Sequence, residues 1–369
     1  MNGMIYHSAE PEARQTQYVE FNNLDFVLNV GEGRSLMRNS VRFNAEILIT
    51  TDGTTVSDGN VYLDYRIGAH GVIGSCQVSF GTSGMKENIQ NYARWVAMTA
   101  IGTLYEDDYL NAMQQVELRS PNEVCSAQLA QGEVTLGSTP VTQDMDFALK
   151  PECCLNKMSG DHLPFEKSGE IRVTFNLARN MSALMGKGQG AGATYRLVNP
   201  SVSYQSVPTN GNWNTTATSM RSVYNVKSAI LSGTANISAQ VPAVCDAVSC
   251  SFQTASSENV NMYNNYACNT VQGIKRVSFL FNDSTNKYIT YEMSDQNEMI
   301  HRYIDSFYNT GHNQMTLDTF RNNNGFGLGL HFQGFIDLSN QRFALQLTSD
   351  TTNADPLNIY MYFHSVLQV

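Results

Sequence analysis

The chain has 369 residues, enough for two domains at roughly 100–200 residues each. Hydrophobic residues make up 42% and charged residues only 15%, with 18 Tyr and 17 Phe. That excludes a disordered chain, which is charge-rich and aromatic-poor, and a helical bundle, which needs abundant Ala, Glu, Lys, Leu and Arg. The formal net charge is −10, and Lys275-Arg276 is the only adjacent basic pair, so direct binding to nucleic acid or to an anionic membrane is not expected.

No run of 18 apolar residues is long enough to span a bilayer, and MNGMIYHSAEPEARQ lacks the basic-then-apolar layout of a secretory signal. The seven cysteines are Cys76, Cys125, Cys153, Cys154, Cys245, Cys250 and Cys268. An odd count without framework spacing predicts reduced thiols and assembly inside a cell.

Period-two patterns dominate from the N-terminal side onward. Val41, Phe43, Ala45, Ile47 and Ile49 share one face of a strand that ends before the turn signal Asp52-Gly53. Val61, Leu63, Tyr65 and Ile67 follow, then Cys76, Val78 and Phe80. Met85 to about Leu104 has helical spacing at Ile89, Tyr92, Val96 and Thr99/Ala100. Ile171, Val173, Phe175 and Leu177 again alternate, and the C-terminal half repeats the style in IKRVSFLFN, RFALQL and NIYMYFHSV. A second helix is predicted over Asn297–Tyr308, with Met299, Tyr303, Ile304 and Phe307 on one face. Many short strands separated by Asn/Gly/Ser/Asp turns point to an all-β sandwich or barrel rather than βαβ units.

The chain also echoes itself. Ser79-Phe80-Gly81-Thr82 with Tyr92 resembles Ser251-Phe252-Gln253-Thr254 with Tyr263, at offsets of 172 (252 − 80) and 171 (263 − 92). RVTFNL from Arg172 matches RFALQL from Arg342, an offset of 170 (342 − 172), and Tyr204-Gln205-Ser206-Val207 matches Phe363-His364-Ser365-Val366. Matches in constant order predict two copies of one β domain of about 170 residues. The expected division is an N-terminal arm over 1–20, a first copy over 21–207, a turn-rich linker over 208–220 and a second copy over 221–369.

Chemical motifs are sparse. GKGQGAGA, from Gly186 to Ala193, precedes a strand-like TYRLVN rather than a helix, so it reads as a surface loop and not a phosphate cradle. GFGLGLHF, from Gly325 to Phe332, suits a strand packed closely against another backbone. None of His7, His70, His162, His301, His312, His331 and His364 has zinc-site spacing, and Cys153-Cys154 reads as structural, so no metal and no cofactor are expected. Glu106-Asp107-Asp108 and Asp144/Asp146 are candidate acid–base sets, but their polar, turn-like surroundings favour solvated surface. No catalytic residue is therefore assigned.

Two segments and the duplication carry a family resemblance. GVIGSCQVSFGTSGMKENIQNYARWV resembles the strand and aromatic-bearing helix of double jelly-roll major capsid proteins of tailless icosahedral viruses, the adenovirus-like lineage. GEIRVTFNLARNMSALM with ATYRLVNPSVSYQSV resembles their barrel-closing strand pair. The resemblance implies two tandem eight-stranded jelly rolls and a structural, non-enzymatic role. It also implies homotrimers forming pseudo-hexameric capsomers of a virion shell, assembled inside the host cell. Implied partners are neighbouring capsomers, minor capsid or penton proteins and an internal membrane layer. A minor capsid or vertex protein is equally compatible with the composition. The alternatives from other classes are a two-barrel glycosidase or amidase and a carbohydrate-binding sandwich.

Overall fold

The computed structural model describes residues 3–51, 60–64, 67–82, 84, 86–103, 116–119, 134–135, 142–186, 193–210, 215–230, 234–258, 274–281, 289–309, 325–349 and 356–368. The first half contributes β1 (Ile5–Ala9), β2 (Asn23–Leu28), β3 (Arg34–Met37), β4 (Arg42–Thr51), β5 (Asn60–Leu63), β6 (Ile73–Phe80) and β7 (Lys86–Gln90). After helix α1 (Tyr92–Thr103) come β8 (Val134–Thr135), β9 (Thr142–Leu149), β10 (His162–Pro164), β11 (Ile171–Leu177), β12 (Leu184–Gly186) and β13 (Ala193–Pro208). The second half contributes β14 (Ser219–Ile230), β15 (Thr234–Gln240), β16 (Val244–Thr254), β17 (Ile274–Phe281), β18 (Ile289–Met293), helix α2 (Gln296–Ser306), β19 (Gly327–Asp337), β20 (Arg342–Ser349) and β21 (Leu357–Gln368).

Each half is a sandwich of two antiparallel sheets. In the first, β1-β13-β4-β9 faces β2-β11-β6-β7; in the second, β14-β21-β16-β19 faces β15-β20-β17-β18. Strands β3 and β10 widen the first large sheet, and β12-β5-β8 form a small separate sheet. With those additions set aside, the order of pairing is the same in both halves, which is the eight-stranded jelly roll expected from the resemblance. Alternation drives it. Along β11, Ile171, Val173, Phe175 and Leu177 are buried while Arg172 is exposed, and β4 alternates in the same way. Phe26, Phe43, Phe147 and Phe175 fill the first core, with the Phe43 and Phe175 rings 4.7 Å apart. Phe281, Phe332, Phe343 and Phe363 fill the second, at ring separations of 4.9–5.7 Å.

Several expectations are corrected by the structure. The RVTFNL and RFALQL segments do occupy equivalent strands, β11 and β20, and Tyr204 and Phe363 both lie in the closing strands β13 and β21. The Phe80 and Phe252 match pairs unlike strands, because Phe80 ends β6 whereas Phe252 lies in β16. The equivalent of β6 is β17, an offset of 201 between Ile73 and Ile274 (274 − 73). Ser, Phe and Thr recur on many strands here, and the residues shared by chance outweighed position. The helix expected from Met85 splits: Lys86–Gln90 is a strand with alternating burial, and Asn91, with a φ of 51°, turns the chain into α1. The first 20 residues, expected as an arm, supply β1, which pairs with β13 from Ile5↔Ser206 to Ala9↔Val202. It is an edge strand that leaves Ile5 and Tyr6 exposed.

The glycines of GFGLGLHF behave as read. Gly327 and Gly329 lie under α2, and a Cβ on Gly327 would strike the Tyr303 ring and come within 2.7 Å of the Cys250 carbonyl oxygen. Gly327→Ala is therefore expected to destabilise the second barrel by about 1–3 kcal/mol, read as a lower urea midpoint; an unchanged midpoint would show that α2 is not seated there.

Candidate functional site at the joint between the barrels

The two barrels meet through α1. Its first residue, Tyr92, is fixed to the first barrel: its hydroxyl accepts the Glu152 N–H at 2.9 Å and lies 2.9 Å from His70 Nδ1. His70 is itself enclosed by Arg119, 3.0 Å away, and Glu117, 3.5 Å away, and burial pushes its pKa below the usual histidine value. From this anchor, Arg94 and Trp95 project onto the second barrel. Trp95 is fully buried, 5.2 Å from the Tyr362 ring, 5.4 Å from His364 and 6.4 Å from Phe307. Arg94 donates to Gln253 and stacks 4.5 Å over Tyr360. The Tyr362 hydroxyl donates back to the Asn91 carbonyl at 3.0 Å.

This contact explains a sequence feature of the second barrel. Residues Cys245–Gln253 of β16 and Ile359–Ser365 of β21 are buried on both faces. Ile359, Met361 and Phe363 face the barrel core, while Tyr360, Tyr362 and His364 face the helices. On that outer face Ser249 Oγ lies 2.7 Å from His364 Nε2 and 3.0 Å from Ser306 Oγ of α2, while among the described residues Ser251 Oγ and His364 Nδ1 are buried without a hydrogen-bond partner. The first barrel's corresponding sheet is different, since the outward side chains of β4 and β13 are half-exposed.

A backbone zipper reinforces the joint. Residues 215–221 run beside 157–162, with Ala217 N donating to the His162 carbonyl at 2.8 Å and Arg221 N to the Lys157 carbonyl at 2.9 Å. Gly160 permits the approach, since a Cβ there would come 2.5 Å from Ala217 N. Buried Glu87 on β7 accepts the Cys154 N–H at 2.7 Å and a hydrogen bond from Ser222 on β14; burial raises its pKa. Glu152 also loses water, but Lys157, 2.8 Å away, more than offsets this and holds its pKa at about 2.

Of the candidate acid–base residues, Asp144 and Asp146 lie on β9, in register with Leu48 and Glu46 of β4. Asp146 is exposed on β9 opposite Glu46, and Glu106, Asp107 and Asp108 lie outside the described residues. Cys153 and Cys154 are buried and reduced, and burial raises the Cys154 thiol well above its usual pKa. His7, His162, His301, His331 and His364 are dispersed, and His312 lies outside the described residues, as do 187–192 of the glycine-rich loop. Among the described residues, no group of three His, Cys, Asp or Glu side chains could hold a metal ion.

Beside the joint, a cleft of about 390 Å³ opens between the barrels. Gln90, Asn91 and Asn176 line it on one side, Gln253 and Tyr360 on the other, and Phe21 and Arg179 stand at its edge. Among the described residues, Glu258 is the only carboxylate lining it. That carboxylate accepts Lys227 Nζ at 2.7 Å and the Tyr360 hydroxyl at 2.6 Å; these contacts outweigh its burial and keep its pKa below the usual value. A general acid needs a raised pKa and a free proton. Glu258 has neither. Sequence reasoning did not find this joint, although the lost alternation in NIYMYFHSV was a usable signal of a strand covered on both sides.

No family model and no curated protein matches the chain. Solved structures do. A Faustovirus major capsid protein superposes with a TM-score of 0.64 at 8% identity, over 99% of this chain and 90% of that one. The Sputnik virophage structure gives 0.58 at 10% identity, over 99% and 86%. The mavirus major capsid protein gives 0.52 at 9% identity, over 98% and 87%. At such identities the likeness establishes the fold alone, two tandem jelly rolls.

Two outcomes follow for the joint. Trp95→Ala is expected to cost about 3–5 kcal/mol, measured by chemical denaturation; a loss below 1 kcal/mol would deny α1 its role. His364 is buried, and desolvation, with Lys157 and Arg221 nearby, lowers its pKa to about 3. Between pH 6.5 and 3 the unfolded chain therefore takes up a proton that the fold refuses. The His364 contribution should be constant above pH 6.5 and fall below it, by on the order of 5 kcal/mol at pH 3. His364→Gln should flatten that acid limb, and an identical limb in the variant would assign it to other groups.

Proposed function

We propose that this chain is a structural shell protein: a major capsid protein whose homotrimers form pseudo-hexameric capsomers of an icosahedral virion. The observation that carries this is the tandem jelly-roll fold, which spans 99% of the chain and 90% of a viral major capsid protein of the same architecture. A chain that contains two similar barrels, divided near residues 208–220, can build a six-barrelled tile from three copies. The non-catalytic reading is supported by the cleft between the barrels, whose one carboxylate is already hydrogen-bonded. The charge of −10 supports a shell that does not itself condense nucleic acid.

The joint supports the trimer in a second way. Within the chain, the first barrel places β7 and α1 against β14 and the outer face of its sheet in the second barrel. The corresponding surface of the first barrel is β1 and the outer face of its own large sheet, where the Tyr6 side chain is 74% exposed. A ring of three copies covers that surface with the second barrel of the next copy, as heterologous contacts that close do. Obligate interfaces of roughly 2,000 Å² or more supply the stability that disulfides do not.

Light scattering of the purified protein should give a species near three times 40.9 kDa. Tyr6→Glu should shift it to monomer with its circular dichroism intact. A clean wild-type monomer at high concentration overturns the proposal, whereas a Tyr6→Glu trimer overturns only the assignment of that surface.

A further inference from the structure

The cleft beside the joint has features that neither barrel needs. Phe21 stands at its mouth with a φ of 65° and 56% of its surface exposed. A bulky side chain rarely adopts left-handed backbone, and an exposed ring forgoes the burial that would offset the strain. The surrounding chain nonetheless holds it there: Phe21 N donates to the Leu177 carbonyl at 3.1 Å, and Asn22 N to the Val19 carbonyl at 3.1 Å. Asn91, on the wall, also has positive φ, so two of the described left-handed non-glycine residues line one cleft.

Its electrostatics are equally specific. Arg94 and Glu258 are engaged with partners described above. Arg179 is exposed, 5.4 Å over the Phe21 ring, and among the described residues no carboxylate lies within ion-pair distance of it. The wall between them carries the neutral amides of Gln90, Asn91 and Asn176; Asn91 Nδ2 donates to Asn225 at 3.1 Å and Asn176 Nδ2 to Asn23 at 2.7 Å, while Gln253 is buried against Arg94. The cleft also opens at the end of the barrels from which the connections 52–72, 91–141, 255–273 and 294–326 leave. Recognition concentrates on such loop-bearing ends.

We infer that this cleft is a binding site for an acidic saccharide. The apolar face of a sugar ring packs on Phe21, its carboxylate pairs with the Arg179 guanidinium, and its hydroxyls meet side-chain amides that both donate and accept, as hydroxyls do. A volume of about 390 Å³ falls within the range of small-molecule sites. One exposed arginine among the cleft's described residues, on an acidic protein, does not suit a nucleic acid, and a wall of amides does not suit an apolar peptide.

The test uses saturation-transfer NMR and calorimetry on the full chain with three carboxylated probes: 3′-sialyllactose, digalacturonic acid and a hyaluronan tetrasaccharide. Lactose serves as the neutral control, and inorganic sulfate as the bare anion. At least one carboxylated probe should bind about tenfold or more tightly than lactose. Arg179→Gln and Phe21→Ala should each weaken it by a similar factor, without changing the solution mass or melting temperature. Should Phe21→Ala lower the melting temperature, Arg179→Gln alone decides. The inference is overturned if none of the three probes binds, if binding survives both substitutions, or if sulfate competes as well as the sugars. These outcomes are independent of the trimer, whose failure would appear in the mass alone.

Discussion

The fully buried indole of Trp95 ties the two halves of this molecule into one body. It is carried by a helix anchored in the first barrel and ends among Tyr362, His364 and Phe307 of the second. A tandem repeat joined only by a linker would leave the barrels free to pivot, and a pivoting pair cannot tile a lattice. Here a helix, a backbone zipper and the Glu87–Ser222 contact all span the same boundary, so the angle between the barrels is set by packing. Of the polar groups this buries, Gln253 accepts from Arg94 across the contact, which favours one seating of the helix over slipped alternatives.

The same contact makes two like barrels chemically unlike. The second large sheet is covered on both faces, and the first is covered on one. A duplicated domain normally keeps equivalent surfaces equivalent, but here one copy has its outer face satisfied within the chain. The other copy's outer face stays half-exposed, and this difference gives the chain a direction. Directionality is what separates closed rings built from head-to-tail contacts from two-fold pairs.

Much of the fold was legible because antiparallel sheets with one wet face write their pattern in alternation. Ile171, Val173 and Phe175 declared β11, and Phe43, Ala45 and Ile47 declared β4, before any coordinates. The joint was not legible in the same way. Its residues lie in strands where alternation is lost, and a doubly buried strand reads like any apolar run. The helix start was misplaced because Ile89 and Tyr92 satisfy helical spacing while belonging to different elements, separated by a left-handed Asn91. The cleft was invisible for a further reason: Phe21, Asn176 and Gln253 are far apart along the chain, and only the two barrels' mutual placement makes them neighbours.

The position of β21 bears on how the molecule is made. It lies between β14 and β16, and its outer face is the floor on which Trp95 rests. Residues 357–368 therefore complete the second sheet and the seat for α1 together. During synthesis, the helix near residue 95 leaves the ribosome hundreds of residues before its receptor exists, with a large aromatic surface waiting in water. The docking of the two barrels therefore waits on a strand that lies 262 residues (357 − 95) after the indole it seats, and the angle between the barrels is set only once that strand has paired.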